Sequence, residues 1–282
     1  MRKPITPDVR LIAFDLDGTL LNSEKLLSER TLRALSEAWA RGIELVPCTG
    51  RFFDAMPKVV KDLPFVNYAI TINGAEVFDV RRKASLYQAV IPNRTALSIM
   101  EYGDTLPVIY ECYAGNQGYM TAAMQEKAEE YAVVPSYVKM VRELRLPVPE
   151  LKAFIREKGL DVQKINYITP DKDLREKLLA DVPVRFPGII ATSSIETNIE
   201  MNSEKGNKGD ALEALAKHLG LGLSQTAAFG DGLNDVPMLK RAGVGVAMGN
   251  AFPEARAAAD ILTATNDEDG VAIMLESLFK EM

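Results

Sequence analysis

The sequence predicts an α/β protein: a doubly wound, mostly parallel, Rossmann-like core with an α+β domain inserted into it. Three observations carry that expectation. Short, wholly apolar runs recur toward both ends of the chain, as strands buried on both faces do. Amphipathic helical patterns separate some of them, and strand–helix–strand alternation implies a parallel sheet. Between these ends the pattern turns to more amphipathic strands, more turns and more tyrosines. The 282 residues suffice for one large domain or two ordinary ones.

The first predicted strand is Val9–Phe14. The helix Glu29–Arg41 follows, with Leu32, Leu35 and Trp39 on one stripe and Gly42 as a stop. Ile43–Cys48 and Tyr68–Ile72 read as the next strands. Charged hinge candidates, Asp79–Lys83 and Asn202–Lys205, flank the middle. There, Val162–Thr169 reads as a strand, Asp171–Leu179 as helical, and Ala191–Ser194 with Thr197–Met201 as a hairpin. The helix Lys208–Leu219 places Leu212, Leu215 and Leu219 on one stripe before Gly220. Strands Thr226–Phe229 and Val244–Met248 complete the core. The expected division is core over 1–82 and 198–282 and an inserted domain over 83–197.

Apolar residues make up 47% and charged residues 26%, as in ordinary globular proteins. A net charge of −6 argues against a nucleic-acid partner, which demands a basic face. A local basic pocket for a small anion stays compatible with it. Two cysteines, Cys48 and Cys112, fit a reducing compartment better than a disulfide framework, although counting alone leaves one bridge open. Met1–Arg10 is polar, carries Pro4 and Pro7, and lacks a signal-peptide core. No apolar run has bilayer-spanning length. The expectation is a cytoplasmic protein, monomeric or a small homo-oligomer, with no membrane partner.

Each apolar run ends in small or polar residues. Asp15-Leu16-Asp17-Gly18-Thr19 follow the first, Thr49-Gly50-Arg51 the second and Asn73-Gly74 the third. Gly230-Asp231-Gly232-Leu233-Asn234-Asp235 follow the fourth, and Gly249-Asn250 the fifth. In open α/β sheets this edge is where ligands bind. Glycines there are ordinary turn chemistry; aspartates directly beyond apolar strands are harder to explain so. Asp15 and Asp17 are two apart, so an extended chain points both to one side. Close carboxylates repel unless a cation or a shared proton relieves them, and Mg²⁺ prefers such hard oxygens. Asp231 and Asp235 bring more oxygens to the same edge. Lys208 opens a helix, a good phosphate site by dipole and by point charge. Thr49, the Gly50 amide and Asn234 supply further donors around a phosphoryl group.

These segments, with Lys208-Gly209 in third place, resemble in order and spacing the four motifs of the haloacid dehalogenase superfamily. Asn73-Gly74-Ala75, Gly249-Asn250-Ala251 and Asp269-Gly270-Val271-Ala272 resemble its Cof-type branch, which carries a large α/β cap between the second and third motifs. Of Lys205 and Lys208, Lys208 is followed by Gly209-Asp210-Ala211-Leu212, as the family's helix start is. The resemblance implies a Mg²⁺-dependent phosphatase acting on small phosphorylated metabolites. It implies that Asp15 is the nucleophile and that Asp17 is the acid and then the base. Mg²⁺ falls to Asp15, the Asp17 carbonyl and Asp231, with Asp235 supporting the metal or pairing with Lys208. The phosphate falls to the backbone at Leu16, Thr49, Gly50, Lys208 and Asn234. Arg51, Asn73, Gly74, Asn116 and Tyr119 are candidate substrate contacts, and the cap is expected to cover the site and read the leaving group.

Plainer readings compete residue by residue. Asp15 and Asp17 alone fit turns, and Lys208 alone fits a solvated helix start. His218 reads as a structural helix-end residue, Trp39 as core, and Cys48 as a small buried hydrophobe. Lys127–Tyr131 reads as a solvated helix face. Tyr110, Tyr113, Asn116 and Tyr119 line the cap's inner face or merely pack a half-buried sheet. Two rival functions use the same fold: a sugar phosphomutase of the phosphomannomutase kind and a non-catalytic binding protein. Intact Asp15, Asp17, Lys208 and Asp231 argue against the second.

Overall fold

The structure, a computed structural model, describes residues 8–281; the first seven residues of the polar N-terminal stretch lie outside the described residues. Two compact units divide the chain, one built from residues up to Tyr87 and from Asn207 onward, the other from Gln88–Gly206. The first chain segment gives strands β1 (Leu11–Phe14), β2 (Glu44–Pro47), β3 (Tyr68–Thr71), β4 (Glu76–Asp79) and β5 (Ala84–Gln88). The inserted unit carries β6 (Ile109–Ala114), β7 (Gln117–Thr121), β8 (Arg145–Val148), β9 (Lys164–Ile168), β10 (Ile189–Thr192) and β11 (Asn198–Ser203). The last segment returns with β12 (Thr226–Gly230), β13 (Val244–Ala247) and β14 (Ile261–Leu262).

The main core sheet runs β14-β13-β12-β1-β2, parallel throughout. Every residue of β1, β12 and β13 is buried, which is why these strands are continuously apolar or small. A parallel bridge from Cys48 to Ile70 carries the chain into a smaller sheet, β3-β4-β5. β1 lies between β2, next in sequence, and β12, far along it. The order therefore reverses beside β1, and the crevice at its carboxyl end is where such sheets bind ligands.

The helix Glu29–Ala40 is capped by the Ser28 hydroxyl, which accepts from the Thr31 amide at 3.0 Å. It buries Thr31, Ala34, Leu35 and Ala38. Leu32 and Trp39, expected inward, are 37% and 47% exposed. The face of small residues wins because it lets the helix approach the helix Gly270–Glu281, against which it packs. Trp39 instead lies over Phe65, ring centres 5.9 Å apart.

Asp79–Lys83 is a strand connection rather than a hinge. β4 and β5 are neighbours in one sheet, the Asp79 carboxylate accepts from the Arg82 amide at 2.8 Å, and Lys83 takes φ 52°. At the other boundary β11 pairs with both β10 and β9 and so belongs to the inserted unit.

The inserted unit is a six-stranded sheet, β10-β11-β9-β6-β7-β8, antiparallel except between β7 and β8. One face places Tyr110, Cys112, Ile165 and Tyr167 against the helices Asn93–Gly103, Leu151–Lys158 and Lys172–Arg185. The opposite face carries Ile109, Met120 and Ile168, packed with Tyr137, Val138 and Val141 of the helix Pro135–Leu144. Period-two alternation along β6 decides this, with Tyr110 and Cys112 on one side and Ile109 and Glu111 on the other.

Candidate active site

Phe14 of β1 is in register with Phe229 of β12, and the Asp15 amide donates to the Phe229 carbonyl at 3.0 Å. Asp15 and Asp231 therefore emerge at adjacent strand ends. The helix Lys208–His218 enters the same place. Its Asn207 cap accepts from the Asp210 amide at 2.9 Å, and Lys208, its first residue, is fully buried. The Lys208 ammonium donates to Asp15 Oδ1 and to Asp235 Oδ1, each at 2.6 Å. The other oxygen of Asp235 accepts from the Asp231 and Gly232 amides at 2.9 and 2.8 Å. Both Asp235 oxygens are thus committed to organising the site. Asp231 Oδ1 accepts from the Thr19 hydroxyl at 2.7 Å.

Oxygens of Asp15, Asp231 and Asp235 lie within 4.8 Å of one another, so three carboxylates face one ammonium. That excess negative charge sets the titration. Burial, reinforced by Asp235 and Asp231 and opposed by Lys208, pushes the Asp15 carboxyl well up. Burial and Asp235 push Asp231 up to about 6. For Lys208 burial alone would favour loss of the proton, but Asp15 and Asp235 outweigh it and hold it charged. A divalent cation among hard oxygens would relieve the imbalance, and the donor set fits one.

The Asp17 side chain turns elsewhere. Arg51 donates to Asp17 Oδ2 through Nε at 3.1 Å and Nη2 at 3.0 Å, and the Lys25 ammonium lies 2.9 Å from Oδ1. Burial would raise this carboxyl, but Arg51 and Lys25 outweigh it and hold it below the usual range. Arg51, a substrate-contact candidate from sequence, is thus first of all a partner of Asp17. The Asn234 amide donates to Asn73 Oδ1 at 3.1 Å, which joins the ends of β12 and β3. Thr49 is buried, and its hydroxyl accepts from the Arg51 amide at 3.2 Å, shaping the turn that carries Gly50. The Leu16 side chain is buried in the core.

Two glycines are fixed by contact. Gly74 has φ 93°, and a Cβ there would sit 2.2 Å from the Asn207 carbonyl oxygen, at the cap of the Lys208 helix. Gly18 has φ 91°, and a Cβ would sit 2.4 Å from Asp231 Oδ2. Asn250, flagged by its motif, donates to the Gly18 carbonyl at 2.8 Å and accepts from the Asn266 amide at 3.0 Å.

The two candidates in the inserted unit are not gathered into one cluster. Asn116 occupies the β6–β7 turn at φ 61°, and Tyr119 stacks on Phe154 on the helix-covered face, ring centres 4.9 Å apart. Cys48 and Cys112 are both buried and free, and burial raises both thiols. Sequence reasoning missed Lys25 and the Thr19–Asp231 bond. The turn chemistry of Asn22-Ser23-Glu24 was the available signal for the first.

Parallel strands that deliver carboxylates to a helix-borne lysine set the class. The chain belongs to the haloacid dehalogenase-like hydrolases, a family that matches residues 12–275. Within it the chain is a Cof-type phosphatase, a phosphoric monoester hydrolase. It is 35% identical to the phosphatase YwpJ of Bacillus subtilis (strain 168), over 96% of this chain and 100% of that one. It is 32% identical to the 5-amino-6-(5-phospho-D-ribitylamino)uracil phosphatase YcsE of the same organism, over 94% of each. A solved haloacid dehalogenase-like hydrolase from B. subtilis superposes with a TM-score of 0.83 at 32% identity, covering 95% of this chain and 99% of that one.

Proposed function

We propose that the protein hydrolyses small phosphate monoesters, sugar phosphates first and cofactor phosphates next, through an aspartyl-phosphate at Asp15. The observation that carries the reading is Asp15 beside Asp231, hydrogen-bonded to a buried Lys208 that Asp235 also holds. An Asp15 oxygen attacks phosphorus while the ester P–O bond breaks, and Asp17 protonates the departing alkoxide. Asp17 then takes a proton from water, which attacks the same phosphorus and frees phosphate and Asp15. Lys208, Thr49, Asn234 and the Leu16 and Gly50 amides bind the phosphoryl oxygens. Asp15, Asp231 and the Asp17 carbonyl are the residues that hold Mg²⁺. When bound, the ion neutralises phosphoryl charge that the carboxylates would otherwise repel. Arg51, Asn73, Gly74, Asn116 and Tyr119 remain the candidate substrate contacts.

The relative YcsE, named for a phosphorylated ribityl compound, supports a small polyhydroxylated leaving group. Two free buried thiols support a cytoplasmic setting. The test is a phosphate-release screen over phosphorylated metabolites with Mg²⁺, using Asp15→Asn as the blank. Release by the wild type and none by the variant supports the reading. Equal release by both sinks it.

A further inference from the structure

The loop after β1 is built to present one side chain. The Asn22 side-chain oxygen accepts from the Glu24 and Leu26 amides at 3.1 and 2.8 Å, and its carbonyl accepts from the Lys25 amide at 2.9 Å. Lys25 takes φ 62°, a left-handed conformation unfavourable for a lysine. The loop is pinned from outside as well. The Ser23 amide and hydroxyl both donate to Asp267, at 2.8 and 2.7 Å, Asn266 donates to the Leu21 carbonyl at 2.9 Å, and the Ser28 hydroxyl donates to Asp269. The product of this bracing is the Lys25 ammonium 2.9 Å from Asp17 Oδ1.

Stability does not explain it. The Lys25 side chain is 55% exposed, and an exposed ion pair returns no more than the left-handed backbone costs. Orientation does. Arg51 grips Asp17 at Oδ2, with Nε and Nη2 converging on that one atom. The terminal torsion of an aspartate is broad, so a carboxylate tethered by one oxygen can still swing. Lys25 sets its charge against the second oxygen and biases the plane toward it.

We propose that Lys25 is a positioning residue that sets the carboxylate of Asp17 for proton transfer to the leaving group. This rests on the acid role proposed for Asp17. Its effect falls on substrates whose leaving oxygen must be protonated, and spares those whose leaving group departs as a stable anion.

The test compares p-nitrophenyl phosphate with an alkyl monoester such as glycerol phosphate, at saturating Mg²⁺, in wild type, Lys25→Asn, Lys25→Arg and Asp17→Asn. Asparagine tolerates the left-handed backbone and so removes the charge without adding strain. The expected result for Lys25→Asn is an alkyl-phosphate kcat lower by about tenfold, a fraction of what acid catalysis supplies. Its KM should stay unchanged, and p-nitrophenyl phosphate turnover should stay within about twofold of wild type. Lys25→Arg should restore the alkyl-phosphate rate. Equal losses on both substrates, no loss on either, or no recovery in Lys25→Arg overturns the assignment. If Asp17→Asn shows the leaving-group selectivity and Lys25→Asn does not, the inference about Lys25 fails alone. If Asp17→Asn shows no such selectivity, the acid role fails and the inference falls with it.

Discussion

Each unit buries a charged cluster, and the two clusters are built on opposite principles. In the inserted unit Glu111 and Arg145 are fully buried and paired. Tyr137 donates to Glu111 Oε1 at 2.7 Å, Asn166 donates to it at 3.1 Å, and Tyr113 accepts from Arg145. Lys164 and Glu200 form a second buried pair at 2.7 Å, with the ammonium 4.3 Å from the centre of the Tyr113 ring. Charge there balances, and Glu111 stays below its usual range because Arg145 and its hydrogen bonds outweigh burial. In the core, three carboxylates face one ammonium and two of them are pushed up. A balanced buried cluster ties strands together; an unbalanced one is held in readiness for charge that arrives with ligands.

The comparison is broken most severely by Asp15→Asn. Turnover should fall by roughly 10⁴–10⁶, as for loss of other covalent nucleophiles, while the fold persists because one repelling charge is gone. Phosphate release and a thermal melt of the same sample check both halves. Lys208→Ala should rank next. It should cost about 10³ in rate, since a lost phosphoryl-stabilising group costs that order. It should also lower the melting temperature, because Asp15 and Asp235 lose the cation they share. Lys205→Ala should do neither; the reverse order would assign the third motif to Lys205.

In the inserted unit the sign of the effect changes. Arg145→Ala should cost about 3–5 kcal/mol of stability, by stranding Glu111 in a buried setting. Mg²⁺ dependence should be unaltered. Denaturant titration and metal titration of one variant separate the two clusters.

The smallest effect sharpens the electrostatics. In metal-free protein Asp231 keeps a proton up to about pH 6, whereas an unfolded aspartate loses it near 3.8. The folded state holds the extra proton between those values, so this group's contribution to stability falls as pH rises through that window. Above it the cation replaces the proton. Mg²⁺ should therefore raise the melting temperature more at pH 8 than at pH 5, where proton competition costs about tenfold in affinity. An equal rise at both values would show that Asp231 is not a ligand.

The core was legible because its strands are buried on both faces and their boundaries need only hydrophobicity. All five predicted core runs overlap the strands found, Asp15 and Asp231 follow strand ends as the sheet rule places them, and Lys208 opens its helix. Amphipathic elements were less legible. Leu32 and Trp39 lost the buried face to alanines, because close approach to another helix outweighs side-chain size. Tyr119 took the face that packs on Phe154 of the helix Leu151–Lys158, a choice that one residue of register decides. Lys25 was missed because an ion pair leaves no periodicity; the Asn22-Ser23-Glu24 turn signals a loop, but the loop's hydrogen bonds aim the side chain.

The place of β1 in the sheet has a consequence for synthesis on the ribosome. Leu11 pairs with Glu44 on one side and with Thr226 on the other. At translation speeds of about 5–20 residues per second, roughly 10–40 s separate the making of those two edges. Through that interval the strand that leads into Asp15 has an open flank, and Gln88–Gly206, one continuous stretch, is completed before the flank closes. The last-made strands then close the sheet and bring Asp231 and Asp235 to Asp15 in the same event. On the proposed mechanism the nascent chain is silent until that moment, and a chain truncated before β12 should release no phosphate.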